Sequence, residues 1–545
     1  MLSVVPGPDF TVHTAAALMD RTEPVARDLI TELTNANLVQ QHDDRYQFHD
    51  LIRLYANSKL QPADANSALD RLYEFYLHTT NSAAEMLFPG TVRLAAPPAR
   101  FEPRTPLIHT KESAHAWMDD ERVSLVDAVR AAAGTAHSHY TWLLADALHV
   151  YLDSYRHSLV HATCFQIGLA EARRRSAIEA EAAMRYGIGE EALNSGNYAL
   201  ISSNLERARE IYRSTGNREG QASATNSLAS YHLNYGDVRK AEKYHREALE
   251  ICVHIGHKVG VAYITCNLAV DYHKVGRLAD ALAQVQAGGK LCQELGLDNQ
   301  HILSQVNAAA YLMDLGYLTK ARSLLESLRK RLTHTELALG EVKSADAHAK
   351  EAQALANAHN IPWLKCRSQL AIAATLLARG NFPQASIACH EADRIARSHR
   401  YREGNLLADM NLAAICHAQK NDAVALFYAD RGNQQAMHCG FDFLLSQLQT
   451  ITASIELNRG KLERFQALAD QALESHRRTG HRPGEAQTLL LLARNAETSE
   501  GWTAAEPLYR DALALFEEMG MPMATEVREV LAGRGRGGHD LAPRR

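Results

Sequence analysis

The sequence predicts an all-α solenoid of antiparallel helical hairpins, and three periodic features carry that prediction. Glycine recurs at a step of 40, at Gly196, Gly236, Gly276 and Gly316, and again through Gly340, Gly380, Lys420, Gly460 and Glu500. It fills seven of these nine slots although only 31 of the 545 residues are glycine, so the spacing is a structural repeat. The interval from 316 to 340 is 24, which reads as one repeat shortened by 16 residues. Five residues after the slot stand Ile201, Ala241, Ala281, Ala321, Ala345, Ala385, Ala425, Phe465 and Ala505. Twenty after it stand Gly216, Gly256, Gly296, Glu336, Asn360, Arg400, Gly440, Gly480 and Gly520.

Each slot has a physical reading. The first glycine lets the chain turn through positive φ between two helices. The small residue at +5, with Ala208, Ala248, Gly288, Leu328, Ala352, Ala392, Gly432, Ala472 and Ala512 at +12, lies on one face of the second helix and permits close approach. The residue at +20 ends that helix in a left-handed cap. Eight before the slot, Leu228, Leu268, Ile372, Leu412 and Leu492 supply the packed face of the first helix.

Composition narrows the function classes. A net charge of −5 gives no general drive toward nucleic acid or an anionic membrane. No run approaches the roughly 20 apolar residues that span a bilayer, and the start lacks a charged n-region with a long apolar run. Eight cysteines with no C-x-x-C pair predict reduced thiols and a cytoplasmic setting; Cys252 and Cys292, in equivalent repeat positions, predict core filling.

The pattern resembles the tetratricopeptide (TPR) family in a form of about 40 residues, on segments such as NLAVDYHKVGRLADALAQV (267–285) and GWTAAEPLYRDALALFEEMG (501–520). The resemblance implies a right-handed superhelix of about nine hairpins over 176–532. Its first helices line a concave groove that takes a protein or peptide partner, without catalysis. In that groove the spacing places Asn226, Ser230, Asn234, Tyr263, Val270, Lys274, Val306, Ala310 and Asp314, residues about 200° around the helix from the packed Leu228, Leu268 and Ala308. Asn267, Asn307 and Asn411, nine before the slot, are candidates for hydrogen bonds to a bound peptide, against the plainer reading of inter-helix amides.

Residues 1–60 differ from the repeats. Helical stretches at 14–20 and 24–36 lead to the alternating Arg45-Tyr46-Gln47-Phe48, and a helix begins near Asp50. LSVVPGPDFT (2–11) and RYQFHDLIRLYA (45–56) resemble the winged-helix subdomain of NB-ARC-type STAND regulators, specifically the actinobacterial SARP-like antibiotic regulators. That resemblance implies a regulatory role in transcription. It also aligns His49-Asp50 with the M-H-D motif, whose histidine contacts a nucleotide's β-phosphate. The plainer reading of His49 is a histidine at a strand–helix junction. The chain contains no G-x-x-x-x-G-K-S/T phosphate loop, since the lysines that follow glycine, Lys290 and Lys461, precede leucine. No nucleotide or other cofactor is therefore expected on the chain alone; His49 and Asp50 would act on a nucleotide held by a separate module. A split regulator, a displaced start and a relic wing all remain open.

Residues 61–175 form a helical connector: a helix over 65–88, a proline-rich loop at 89–106 expected to be extended and exposed, and a helix over 116–133. The last of these, AWMDDERVSLVDAVRAAA, resembles the W-L-x-x-E-R-x-N-L element of the same regulators, with Ser124 in place of asparagine. The basic end, 533–545, is expected to be a disordered tail.

Other candidates are weaker. His157, His161 and Cys164 share one helical face, but a fourth ligand for a tetrahedral metal is not evident, and no metal site is assigned. Helix 24–36 carries one arginine against several acids, which disfavours direct DNA binding. No catalytic constellation is placed by any motif, so no enzyme activity is expected. Two functions follow: the sensor arm of a STAND/SARP-type transcriptional regulator, or a standalone TPR scaffold with a vestigial winged helix.

Overall fold

The computed structural model describes residues 1–101, 108–154, 158–195, 197–326, 342–358 and 362–537. Slots Gly196 and Gly340, together with Leu328, Glu336 and Asn360, lie outside them, as do Pro103, Pro106, His157 and the tail from 538. The chain divides into two compact units, Met1–Ser227 and Leu228–Arg545.

The first unit opens with α1 (Val12–Met19) and α2 (Glu23–Asn35), then the antiparallel strands β1 (Val39–His42) and β2 (Arg45–Phe48), then α3 (Asp50–Lys59). Thr11 caps α1 by accepting the Thr14 N–H at 3.2 Å. Phe10 exchanges backbone bonds with Tyr46 at 2.9 and 2.8 Å, so the segment before α1 lies alongside β2. The longer helices α4 (Pro62–Leu87), α5 (Lys111–Ala132), α6 (His139–Ser154) and α7 (Ser158–Arg174) follow, then α8 (Ile178–Ser195) and α9 (Tyr198–Thr215). One apolar core runs from Leu2 through Tyr76, Leu125 and Tyr151 to Met184. The predicted helices 65–88 and 116–133 are present and begin earlier, at 62 and 111.

The proline-rich stretch is irregular over 91–101, as expected, but it is not loose. The buried Asp146 carboxylate accepts the Leu94 N–H at 2.6 Å, and Glu74 accepts those of Arg100 and Phe101 at 2.9 and 3.3 Å. A chain without its own ladder must satisfy its backbone on side chains, and these acids do it.

From α10 (Arg218–Tyr235) the hairpins run regularly: α11 (Val238–His254), α12 (Lys258–Lys274), α13 (Leu278–Glu294), α14 (Asp298–Asp314) and α15 (Leu318–Glu326). After α16 (Val342–Ala358) come α17 (Pro362–Ala378), α18 (Phe382–Ser398), α19 (Arg402–Ala418), α20 (Asp422–Cys439), α21 (Asp442–Asn458), α22 (Leu462–Thr479), α23 (Arg482–Ser499), α24 (Trp502–Met519) and α25 (Met523–Gly537). This is the all-α hairpin solenoid the periodicity predicts. The +5 residues Ala241, Ala281, Ala385, Ala425 and Phe465 are fully buried. Residues 533–537, assigned to a disordered tail, continue α25.

The slots behave as turn positions: Gly236, Gly276, Gly316, Gly380 and Gly460 all have positive φ, and so does Lys420 at +60°. In the last hairpin the left-handed residue is Gly501, one after the expected Glu500. Three of these glycines also do something the periodicity does not predict. A Cβ on Gly236 would stand 2.3 Å from the Cys439 sulfur, one on Gly276 2.5 Å from Thr479 Cγ2, and one on Gly316 3.0 Å from Met519 Sδ. A Cβ on Gly380 or Gly460 meets nothing within 4 Å. The three contacts share one register, since 439, 479 and 519 each follow their glycine by 203 residues. Within the second unit, then, the turns of the earlier hairpins stack on the second-helix ends of hairpins much further along the chain. Val238 and Leu278 add apolar contact to this seam by clustering with Phe441 and Phe443.

Among the described residues, no helix is long and apolar enough to cross a membrane.

Candidate partner-binding face

The first helices present the expected groove residues in three states of exposure. Tyr263, 40% exposed on α12, and Ala310 on α14 are open. Asn226, Ser230 and Asn234 on α10, Asn267 and Val270 on α12, Val306 and Asn307 on α14, and Asn411 on α19 are half-buried. Lys274 is buried. Asn226 belongs to the first unit and the others to the second. Ile302 and Leu303 of α14, which the spacing did not single out, are also exposed.

Lys274 and Asp314, expected to offer free charges of opposite sign, are engaged within the chain. The Lys274 ammonium pairs with Glu403 at the start of α19 and sits over the Phe441 ring. Burial pushes Glu403 up, but Lys274 and Arg367 beside it overcome this and hold it at about 2. Asp314 pairs with His273 at 2.7 Å, and His273 packs on Tyr311 and Phe443. Both residues stand two before a turn glycine, where the first helix ends at the seam. The part of the face that stays open therefore lies nearer the middle of α12 and α14.

Behind Phe443 lies a buried polar cluster that sequence reasoning missed. His481 contacts the Phe443 ring edge-on and shares a 3.1 Å hydrogen bond with His476. His476 reaches Thr450 at 3.0 Å, and Thr450 reaches Thr488 at 3.0 Å. Burial holds His476 down at about 3 and His481 at about 4. A second buried pair, His245 and Asp271 at 2.5 Å, joins α11 to α12. The only sequence signal for either was the histidine content, with no spacing to pair them.

His49 and Asp50 stand exposed at the β2–α3 junction. The His49 backbone carbonyl accepts the Arg53 N–H at 2.9 Å, while its ring lies 2.8 Å from the Gln40 amide. Arg53 in turn donates to the carbonyls of Ser3 and Gly7 at 3.2 and 3.0 Å, and to that of Val5, holding the first residues against α3. The two segments that carried the winged-helix resemblance meet at Arg45. Its guanidinium donates to Asp9 at 2.6 Å, to Glu121 at 2.9 Å and to Ser124 at 3.1 Å. Glu121 is buried, and burial raises its carboxyl despite Arg45.

Of the metal-like trio, His161 pairs with His149 at 2.9 Å and Cys164 is fully buried, while His157 lies outside the described residues. Among the described residues, no three His, Cys, Asp or Glu side chains are grouped to hold a metal ion. All eight cysteines are free and buried; burial pushes the thiols of Cys164, Cys266, Cys366 and Cys389 up to about 12.

No family model matches the chain. It is 26% identical over 414 residues to the regulatory protein AfsR of Streptomyces griseus, which covers 72% of this chain and 41% of that protein. It is 28% identical over 314 residues to the regulatory protein AfsR of Streptomyces coelicolor, covering 48% of this chain and 31% of that protein. The chain thus spans less than half the length of the curated relatives it matches. Among solved structures, it is similar to a Rap protein complexed with competence and sporulation factor, with a TM-score of 0.39, 13% identity, and coverage of 68% of this chain and 96% of that one. It is also similar to a STAND protein with a tetratricopeptide repeat sensor from Pyrococcus horikoshii, with a TM-score of 0.40, 13% identity, and coverage of 87% and 62%. The sequence similarity is to regulatory proteins.

Proposed function

We propose that this chain is the sensor arm of a STAND/SARP-type transcriptional regulator, taking a protein or peptide partner on the first-helix face of its TPR array. The observation that carries the proposal is the similarity to AfsR regulators over 414 residues, which reaches across most of the chain. The mixed face around Tyr263, Val270 and Ala310 supports it. A surface serving only solvation would be more uniformly charged.

The N-terminal elements, two helices, a strand pair and a third helix, suit a winged-helix segment that relays the state of the array to a nucleotide-binding module. Helix α3 supports this reading: Leu51, 80% exposed, and Leu54 and Tyr55, each 65% exposed, form an apolar stripe at i, i+3 and i+4. His49 and Asp50, exposed at its N-terminal end, are the candidates to contact a nucleotide held by that module.

Transcript profiling tests the proposal without requiring the partner's identity. A Tyr263→Ala/Val270→Asp variant should reproduce the transcript changes caused by deleting the gene. A Val253→Asp variant, on the opposite face of the hairpin where Val253 is 62% exposed, should resemble wild type. Equal effects from both faces would move the interface, and an unchanged transcriptome in the deletion would refute the regulatory role.

A further inference from the structure

Three side chains on consecutive helices of the second unit form a hydrogen-bonded chain, and none of them is among the residues proposed for the partner. His417, near the end of α19, has its Nδ1 2.7 Å from the carboxylate of Asp422, the first residue of α20. Its Nε2 lies 2.9 Å from the Ser454 hydroxyl on α21. An ionised carboxylate only accepts hydrogen bonds, so in the neutral ring Nδ1 carries the proton and donates it to Asp422. Nε2 then offers its lone pair to the Ser454 O–H. All three residues are half-buried, with the His417 and Asp422 side chains 19% and 20% exposed, so the chain of groups stays open in part to solvent.

The repeat marks this arrangement as a departure. Two after the turn slot, the second helices of other hairpins begin with Val238, Leu278, Leu318, Phe382, Leu462 and Trp502, where α20 begins with Asp422. Six before the slot, in the place of Ser454, other hairpins carry Val270, Ala310, Ala374 and Ala414. The hydroxyl also points unusually for a helix. Thr265, Thr452 and Thr488, on first helices of the same unit, bond back to carbonyls four residues earlier at 2.7, 2.7 and 2.8 Å. Ser454 instead turns its hydroxyl to His417.

We propose that Ser454 is a nucleophilic serine that takes up the acyl group of a carboxylic ester. A hydroxyl within hydrogen-bond reach of a base, with that base oriented by a third group, is the arrangement that activates a serine. In the step, Ser454 Oγ bonds to the ester carbonyl carbon and its proton passes to His417 Nε2. The bond from that carbon to the alcohol oxygen then breaks, and His417 hands the proton to the leaving oxygen, which departs as the alcohol. Ser454 is left as its acyl ester. Asp422 is a positioning residue: it holds the ring in the required tautomer and stabilises the imidazolium formed midway.

The full chain would be incubated with para-nitrophenyl acetate, with nitrophenolate followed by absorbance and the acetylated peptide located by mass after an acid quench. Wild type should release about one nitrophenolate per chain in an initial burst and carry the acetyl group on Ser454. Ser454→Ala and Asp422→Leu install residue types that other hairpins use at these places, so both variants should keep the circular dichroism spectrum of the array. Ser454→Ala should abolish the burst. His417→Gln should slow it about a hundredfold or more, the scale of a lost general base. Asp422→Leu should slow it about tenfold or more, and Asp422→Glu should regain part of the rate. Absence of acetyl on Ser454 in wild type, or a burst undiminished in Ser454→Ala or in His417→Gln, would overturn the proposal.

Discussion

Lys274 and Glu403 form a buried ion pair across 129 residues of sequence, joining the end of α12 to the start of α19. Removing Lys274 leaves the Glu403 carboxylate with only the more distant Arg367, at 4.0 Å, to offset its burial; a buried charge stripped of its partner altogether costs about 3–5 kcal/mol. Lys274→Met alone should therefore destabilise the second unit by about 3 kcal/mol, and Lys274→Met/Glu403→Met should recover most of the loss. Urea unfolding of the two single variants and the double variant checks this; additive losses would mean the pair is not coupled.

The turn glycines separate into two classes by what lies beyond them. Gly380→Ala should cost only the left-handed penalty, about 1 kcal/mol. Gly276→Ala must also displace Thr479, and should cost about 2–4 kcal/mol. Thermal melts of the two variants give the comparison directly. Equal shifts would mean that the 203-residue register does not hold.

Acid should weaken the second unit through His476 and His481. Their folded values, about 3 and about 4, lie below the ordinary histidine value, so the folded state binds fewer protons than the unfolded one. Stability from these groups is full above about pH 6.5 and declines as pH falls toward 4. Around His481 stand His476, His273 and Asp314; burial, aided by His273, opposes its protonation and outweighs Asp314, which favours it. By pH 5 each histidine should cost up to about 2 kcal/mol. Denaturant unfolding at pH 7.5 and 5 should show a shallower pH slope in His481→Phe than in wild type; an equal slope would assign the acid sensitivity elsewhere.

In the first unit, Arg45→Met would strand the Glu121 carboxylate and release Asp9. The expected loss is about 3 kcal/mol, with Glu121→Gln in the same background restoring part of it. Calorimetry that shows no change in the first unit's transition would contradict the role given to Arg45.

The hairpins themselves were legible in the sequence because a turn through positive φ needs glycine, and close helix packing needs alanine, at fixed offsets. Gly236, Ala241 and Gly256 are enough to draw one repeat. The seam was not legible. Whether Gly276 meets Thr479 depends on small rotations accumulated over several hairpins, and no local spacing records them. For that reason Lys274 and Asp314 read as groove charges, although both sit where the seam closes. The Arg45–Glu121 tie was hidden in the same way, since its members lie 76 residues apart in the chain.

The most direct measurement of the groove assignment is site-specific photocrosslinking in the native cell. A photoreactive residue at Tyr263 or Ala310 should yield one discrete adduct with a common partner, and one at Val253 or Lys290, on the second helices, should yield none. An adduct from Val253 or Lys290 with Tyr263 and Ala310 silent would contradict the account and place the interface on the opposite face.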